Sequence, residues 1–225
     1  MQNANTKNGS AKFIIVTALK LLVICALVAA LVAFVNFVTK DRIELNEKLS
    51  TASALTDIYS SDDLEFYVDD NGNYAIRKTD GSDFGSCGLT DIEEPLKDVD
   101  AVYTIKDSSG NVFGYCVETS PMGFKDEVGM IVAVTPSVSV KDVQIISISD
   151  TKGIGDKVLR RDFLDKFTDK TYGFTQSEAA LKDIVIAGST RTSEPVTKAV
   201  DTALEQIRLL TGSKNTTSEE GIGNE

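Results

Sequence analysis

Read for apolar and polar positions, the chain falls into three stretches of different character. After a polar start, MQNANTKNGSAK, residues Phe13 to Val38 read FIIVTALKLLVICALVAALVAFVNFV, with one charge (Lys20) and one amide (Asn36). A bilayer core takes about 20 apolar residues as a helix, so this run predicts one transmembrane span at 13–38. Lys20 lies near one end, where its stem can carry the ammonium to the headgroups. A cleaved signal peptide would be shorter and end in a small-residue cleavage site, which this run lacks. The next stretch, DRIELNEKLSTASALTDIYS, spaces Ile43, Leu45, Leu49, Ala52, Leu55 and Tyr59 roughly as on a helix. It predicts a helical stalk over 39–62.

The pattern then turns strand-like. AVYTIK (101–106), the turn DSSGN and VFGYCVE (112–118) form a hairpin; VGMIVAVT (128–135) and VQIISIS (143–149) follow, rich in β-branched residues. Ahead of them, DDNGN is a turn and SDFGSCG reads as irregular loop. TKGIGDKVLRRDFLDKF passes from a glycine-bracketed turn into a helix with Val158, Phe163, Leu164 and Phe167 near one face, and IVIAG (184–188) reads as a last short strand. From Ser193, the positions Val196, Val200, Ala203, Ile207 and Leu210 predict a closing helix that Gly212 ends as a C′ residue. The expected architecture is α+β: a single N-terminal transmembrane helix, then a mixed strand and helix domain over 63–212. Residues 1–12 are read as a cytoplasmic tail and 213–225 as a disordered one.

Composition narrows the chemistry. All 34 acidic residues lie after residue 40, beside 19 of the 23 basic ones. Such a body repels nucleic acid and anionic lipid headgroups. Basic residues flank both ends of the span: Lys7, Lys12 and Lys20 without acids, and Lys40, Arg42 and Lys48 among Asp41, Glu44 and Glu47. The adopted orientation is a cytoplasmic N-terminus with the body on the outer face of the cell membrane. There is no histidine, no CxxC and no clustered acid at ligand spacing, which argues against zinc, haem and iron–sulfur sites and against Ser-His or Cys-His catalysis. No metal ligand and no catalytic side chain is assigned. Cys87 and Cys116 read as unpaired, partly buried thiols; their spacing does not demand a bridge.

Two loops carry candidate chemistry. AGSTRTSEPV (187–196) gathers Gly188, Ser189, Thr190, Arg191, Thr192 and Ser193 where a helix begins. The first amides of a helix are unpaired and its dipole is positive there, so the stretch suits a phosphate, with Arg191 as a cation. It equally suits plain capping by Thr192 or Ser193, with Pro195 in the first turn. In SDTKGIGDKV, Gly153 and Gly155 flank Ile154, which serves either as a tight turn or as a narrow loop presenting Ile154 to a flat aromatic ligand. In a third segment, SPMGFKDEVGMIVAV, Gly123 and Phe124 lead into a strand, and Phe124 is expected in the core.

In order and spacing these segments resemble the membrane-anchored flavoprotein family that includes the G subunit of the Rnf complex and the C subunit of the sodium-translocating NADH:quinone reductase. GFKDEVGMIVAV is similar to the family's GYGGPI-like loop and following strand. DTKGIGDKV (150–158) stands where the family has ETPGLG, FLDKFTDK (163–170) matches an aromatic-then-lysine segment, and AGSTRTS (187–193) falls in register with S/T-G-A-T-x-T-S. The resemblance covers the anchor and most of 110–212. It implies an FMN-binding domain with FMN joined to Thr190 through a phosphoester, installed from FAD by a flavin transferase. Gly188, Ser189, Arg191 and Thr192 would surround the phosphate, and Gly153, Ile154 and Gly155 would line the isoalloxazine ring. It further implies electron relay, with other subunits of a membrane complex, in an ion-translocating ferredoxin:NAD oxidoreductase. The Rnf type is preferred for the compact chain. Departures from the family pattern are Ala187, Ser189, Lys152 and the four-residue gap from Asp183 to Ala187. The alternatives are a non-enzymatic single-pass, pilin-like surface protein and a lone extracellular flavin carrier.

Overall fold

A computed structural model of the chain describes residues 4–219; the outermost parts of the two expected tails, 1–3 and 220–225, lie outside the described residues. The chain divides into two compact units, one up to Glu47 and one from Lys48 onward. Helix α1 spans Ala4–Ile58. Its apolar part is long enough to cross a membrane, and its most apolar stretch is not buried against protein.

In the second unit a seven-stranded sheet follows simple up-and-down order, every neighbour antiparallel. Its strands are β1 (Leu64–Val68), β2 (Tyr74–Lys78), β3 (Asp83–Leu89), β4 (Val99–Asp107), β5 (Val112–Thr119), β6 (Val128–Val134) and β7 (Val140–Ile148). The sheet is covered on both faces, which explains the unbroken apolar run of β6. Because side chains alternate across a strand, Val128, Met130, Val132 and Val134 join one core while Ile131 and Ala133 join the other. The first core is closed by Val158, Phe163 and Phe167 and by Val196, Val200, Ala203, Leu204 and Ile207. The second is closed by Ala52, Leu55, Ile58 and Tyr59 at the end of α1. Of the stalk positions, Ala52, Leu55 and Tyr59 are buried, while Ile43, Leu45 and Leu49 remain exposed.

Four expectations are corrected. SDFGSCG is not a loop: it is β3, paired to β4 through Cys87 and Ile105. Its glycines and polar residues hide a strand whose one buried side chain is Cys87. IVIAG is not a strand. The chain makes a short helix α3 (Glu178–Ile184), after α2 (Arg161–Leu164), and then turns through Val185–Gly188. Lys166 holds that end of α3, its Nζ donating to the carbonyls of Asp183 and Ile184 at 3.0 and 3.3 Å. The helix expected over 156–167 is a 3₁₀ turn at Gly155–Leu159, α2, and a second 3₁₀ turn at Asp165–Phe167; the four apolar side chains are buried as expected. The final helix, α4 (Thr190–Glu219), starts three residues before the expected Ser193 and runs through Gly212.

Cys87 and Cys116 are both buried and unbridged. They lie on β3 and β5 with β4 between them. Strands two apart are separated by about 9–10 Å, beyond the reach of a disulfide.

Candidate functional site

The entrance to α4 is built by local hydrogen bonds that the apolar pattern does not report. The Ser189 carbonyl accepts from the amides of Thr192 (3.0 Å) and Ser193 (2.8 Å). Ser193 Oγ donates to that same carbonyl at 3.0 Å and accepts from the Ile186 amide, also at 3.0 Å. Ser193 therefore lies inside the first turn and ties the preceding turn to it, rather than capping from outside. Thr192 likewise sits within the helix. Gly188 enters at φ +75°, a left-handed conformation that disfavours any residue with a Cβ.

The four hydroxyls separate by burial. Ser193 and Thr192 are 0% and 1% exposed, and Ser189 is 2% exposed with an Oγ that has no hydrogen-bond partner among the described residues. Thr190 is exposed.

The three glycine-bearing segments converge, and the residue that joins them is Asp150. Its Oδ2 accepts from Thr192 Oγ at 2.6 Å and from the Phe124 amide at 3.1 Å, and its Oδ1 accepts from the Thr151 amide at 2.7 Å. One carboxylate thus pins the 121–124 loop, the 150–155 loop and the start of α4. Burial works to raise its pKa, but the bonds from Thr192, Thr151 and Phe124, with the nearby charge of Lys125, outweigh burial and leave it below the usual carboxylate range. Gly155 is required by this packing: a Cβ there would stand 2.2 Å from the Asp150 carboxyl carbon. Gly153 donates its amide to Asp156 at 2.7 Å, which closes the narrow loop.

Ile154 projects from that loop, 46% exposed. Phe124 is 48% exposed, not in the core as expected, and the Arg191 guanidinium lies over its ring at 5.2 Å. Gly153, Ile154, Gly155, Gly188, Ser189, Thr190, Arg191 and Thr192 therefore belong to segments locked together through Asp150. The sequence pattern singles out neither Asp150 nor Lys157, whose Nζ stands 3.5 Å from the place a Cβ on Gly188 would take. Asp150 heads the DTKGIGDKV motif, so its position was available; its partner 42 residues away was not.

Two family models match the chain. Residues 1–58 match the model of the RnfG N-terminal region, and residues 123–205 match that of the FMN-binding domain. Together these cover more than half of the chain. The chain belongs to the RnfG-type family of FMN-binding subunits.

Among its relatives is the G subunit of a proton-translocating ferredoxin:NAD(+) oxidoreductase complex from Clostridium ljungdahlii, 34% identical over 104 residues, which span 44% of this chain and 56% of that one. The G subunit of a Na(+)-translocating ferredoxin:NAD(+) oxidoreductase complex from Acetobacterium woodii is 29% identical over 88% of this chain and 94% of its own length. A crystal structure of Shewanella oneidensis NqrC superposes with a TM-score of 0.38 at 20% identity, over 52% of this chain and 63% of that one. The FMN-binding-domain match runs from Gly123 to Glu205, so it includes Phe124, the 150–155 loop and the start of α4, the parts that Asp150 joins.

Proposed function

We propose that this chain carries FMN on Thr190 and relays electrons within an ion-translocating ferredoxin:NAD oxidoreductase complex. The observation that carries the attachment is the sorting of hydroxyls at the start of α4. Thr192 is bonded to Asp150, Ser193 is buried in the first turn, Ser189 is buried, and Thr190 alone of the four is exposed. A transferase needs an accessible nucleophile, so Ser189, buried as it is, adds no competing acceptor at the surface. In the reaction, the Thr190 hydroxyl attacks the flavin-side phosphorus of FAD. The new Oγ–P bond forms as the pyrophosphate bridge breaks, AMP leaves, and the hydroxyl proton passes to solvent.

The residues present fit a phosphorylated group. The amides of Thr190 and Arg191 are the first two of a long helix, ahead of those already donating to Ser189, and among the described residues they have no loop acceptor and can face an anion. Ile154 and Phe124 offer exposed apolar surface from the two neighbouring loops. FMN itself would supply the electron chemistry, while the protein sets its position and surroundings. The apolar part of α1 would anchor the chain in the cell membrane, with the N-terminus cytoplasmic and the sheet-bearing domain on the outer face. The remaining partners are the other subunits of the complex and the flavin transferase.

The test is co-expression with a flavin transferase, followed by denaturing electrophoresis and ultraviolet imaging. A fluorescent band lost in Thr190→Ala and kept in Ser189→Ala is the expected result. A band lost in Ser189→Ala alone would move the attachment to Ser189, and a dark wild-type band would remove the covalent flavin altogether.

A further inference from the structure

The sequence nominates Arg191 as the cation beside Thr190, yet its guanidinium rests on the face of Phe124. A different cation occupies the ground in front of the helix. Lys157 lies half-buried on the 3₁₀ turn Gly155–Leu159, with its Nζ beside Gly188, two residues before Thr190. A bulkier residue than glycine at 188 would meet that ammonium. Lys157 has no ion-pair partner among the described residues. The two acids nearest it on its own loop are otherwise engaged: Asp156 accepts from Gly153, and Asp150 from Thr192, Thr151 and Phe124.

Removing a cation partly from water without a counter-charge is costly, and a lysine stem has the freedom to turn outward instead. Here the ammonium is held beside a positive helix end, which adds repulsion. Ser189, next to Gly188, adds a buried hydroxyl with no partner among the described residues. Two positive features and an unsatisfied polar group at one helix entrance call for an anion.

We propose that Lys157 is a positioning residue that binds the phosphate joined to Thr190, and this rests on the covalent-flavin reading above. It holds the phosphodiester against the first amides of α4, leaving Arg191 to cover Phe124. The residue belongs to the DTKGIGDKV loop, so a single side chain ties the ring-side loop to the attachment end.

The experiment uses the wild-type full chain in detergent, made with and without the transferase. Both samples are acetylated with an amine-specific reagent and analysed by mass spectrometry, with the exposed Lys97 as internal reference. A phosphodiester bonded to the ammonium withholds it from the reagent, and a pairing of about 1.4 kcal/mol lowers the reactive fraction about tenfold. Lys157 is expected to label about tenfold more slowly in the loaded chain, with Lys97 unchanged. In parallel, Lys157→Met is expected to reduce covalent loading several-fold and Lys157→Arg to restore it. A fluorescent band with equal Lys157 labelling in both samples overturns the role of Lys157 and leaves the flavin reading intact. A dark wild-type band sinks the flavin reading and this proposal with it.

Discussion

Replacing Asp150 with alanine should loosen three segments at once, and the cost can be worked from its bonds. The side chain accepts three hydrogen bonds, two from amides of exposed loop residues and one from Thr192, which is 1% exposed. Water can reach the Phe124 and Thr151 amides once the carboxylate is gone, so each of those losses is discounted to about 0.5 kcal/mol or less. The Thr192 hydroxyl has no such access, and leaving a buried donor unsatisfied costs about 1–3 kcal/mol. With the middle of that range for Thr192, the total is about 2–3 kcal/mol. For a chain of this size that corresponds to a fall in Tm of roughly 5–10 °C.

Calorimetry on the full chain in detergent, made without a transferase, separates this effect from any flavin. Asp150→Asn retains an acceptor and should lose less than half as much. Thr192→Val removes the orphaned donor, so the double variant Asp150→Ala/Thr192→Val should be less destabilised than the sum of its singles by about 1 kcal/mol or more. Strict additivity, or an Asp150→Ala Tm equal to wild type, would refute the claim that this carboxylate clamps the site.

Other outcomes follow from the same packing. Gly155→Ala places a methyl on the Asp150 carboxylate and should destabilise the chain about as much as Asp150→Ala, read by the same calorimetry; a neutral result would mean the loop yields easily. Cys87 and Cys116 should resist alkylation at pH 8 in the folded chain and react after denaturation, because burial pushes the Cys87 thiol up to about 12 and Cys116 well above its ordinary value. Glu118 is raised by burial, against hydrogen bonds from Thr51 and Tyr74 that favour its charged form. A carboxyl raised in the fold binds its proton more tightly there. Its contribution is therefore present below the ordinary glutamate range and is lost as pH rises through the elevated value. Glu118→Gln should raise Tm at pH 8 relative to wild type, and the gain should vanish near pH 4; a constant difference would refute the assignment.

What the sequence alone determined was whatever depends on neighbours a few residues apart. The apolar run 13–38, the β-branched strands β4 to β7 and the tight turn between β4 and β5 are of this kind, because residue types a few positions apart report them directly. The order of the three glycine-bearing motifs was equally legible, and it carried the family resemblance. The start of α4 was misjudged because its apolar stripe begins at Val196, whereas its first turn is fixed by polar bonds among Ile186, Ser189, Thr192 and Ser193. Strand β3 escaped notice because one face of it is exposed and its glycines weaken the pattern. Only the tertiary structure decided which hydroxyl of AGSTRTS faces outward, since Thr192 is held by an aspartate 42 residues away. It also laid the Arg191 guanidinium over Phe124 and set the Lys157 ammonium beside Gly188. Both are contacts between loops, set by how the sheet positions α4 and the 150–155 loop, and no local spacing encodes a distance across the fold.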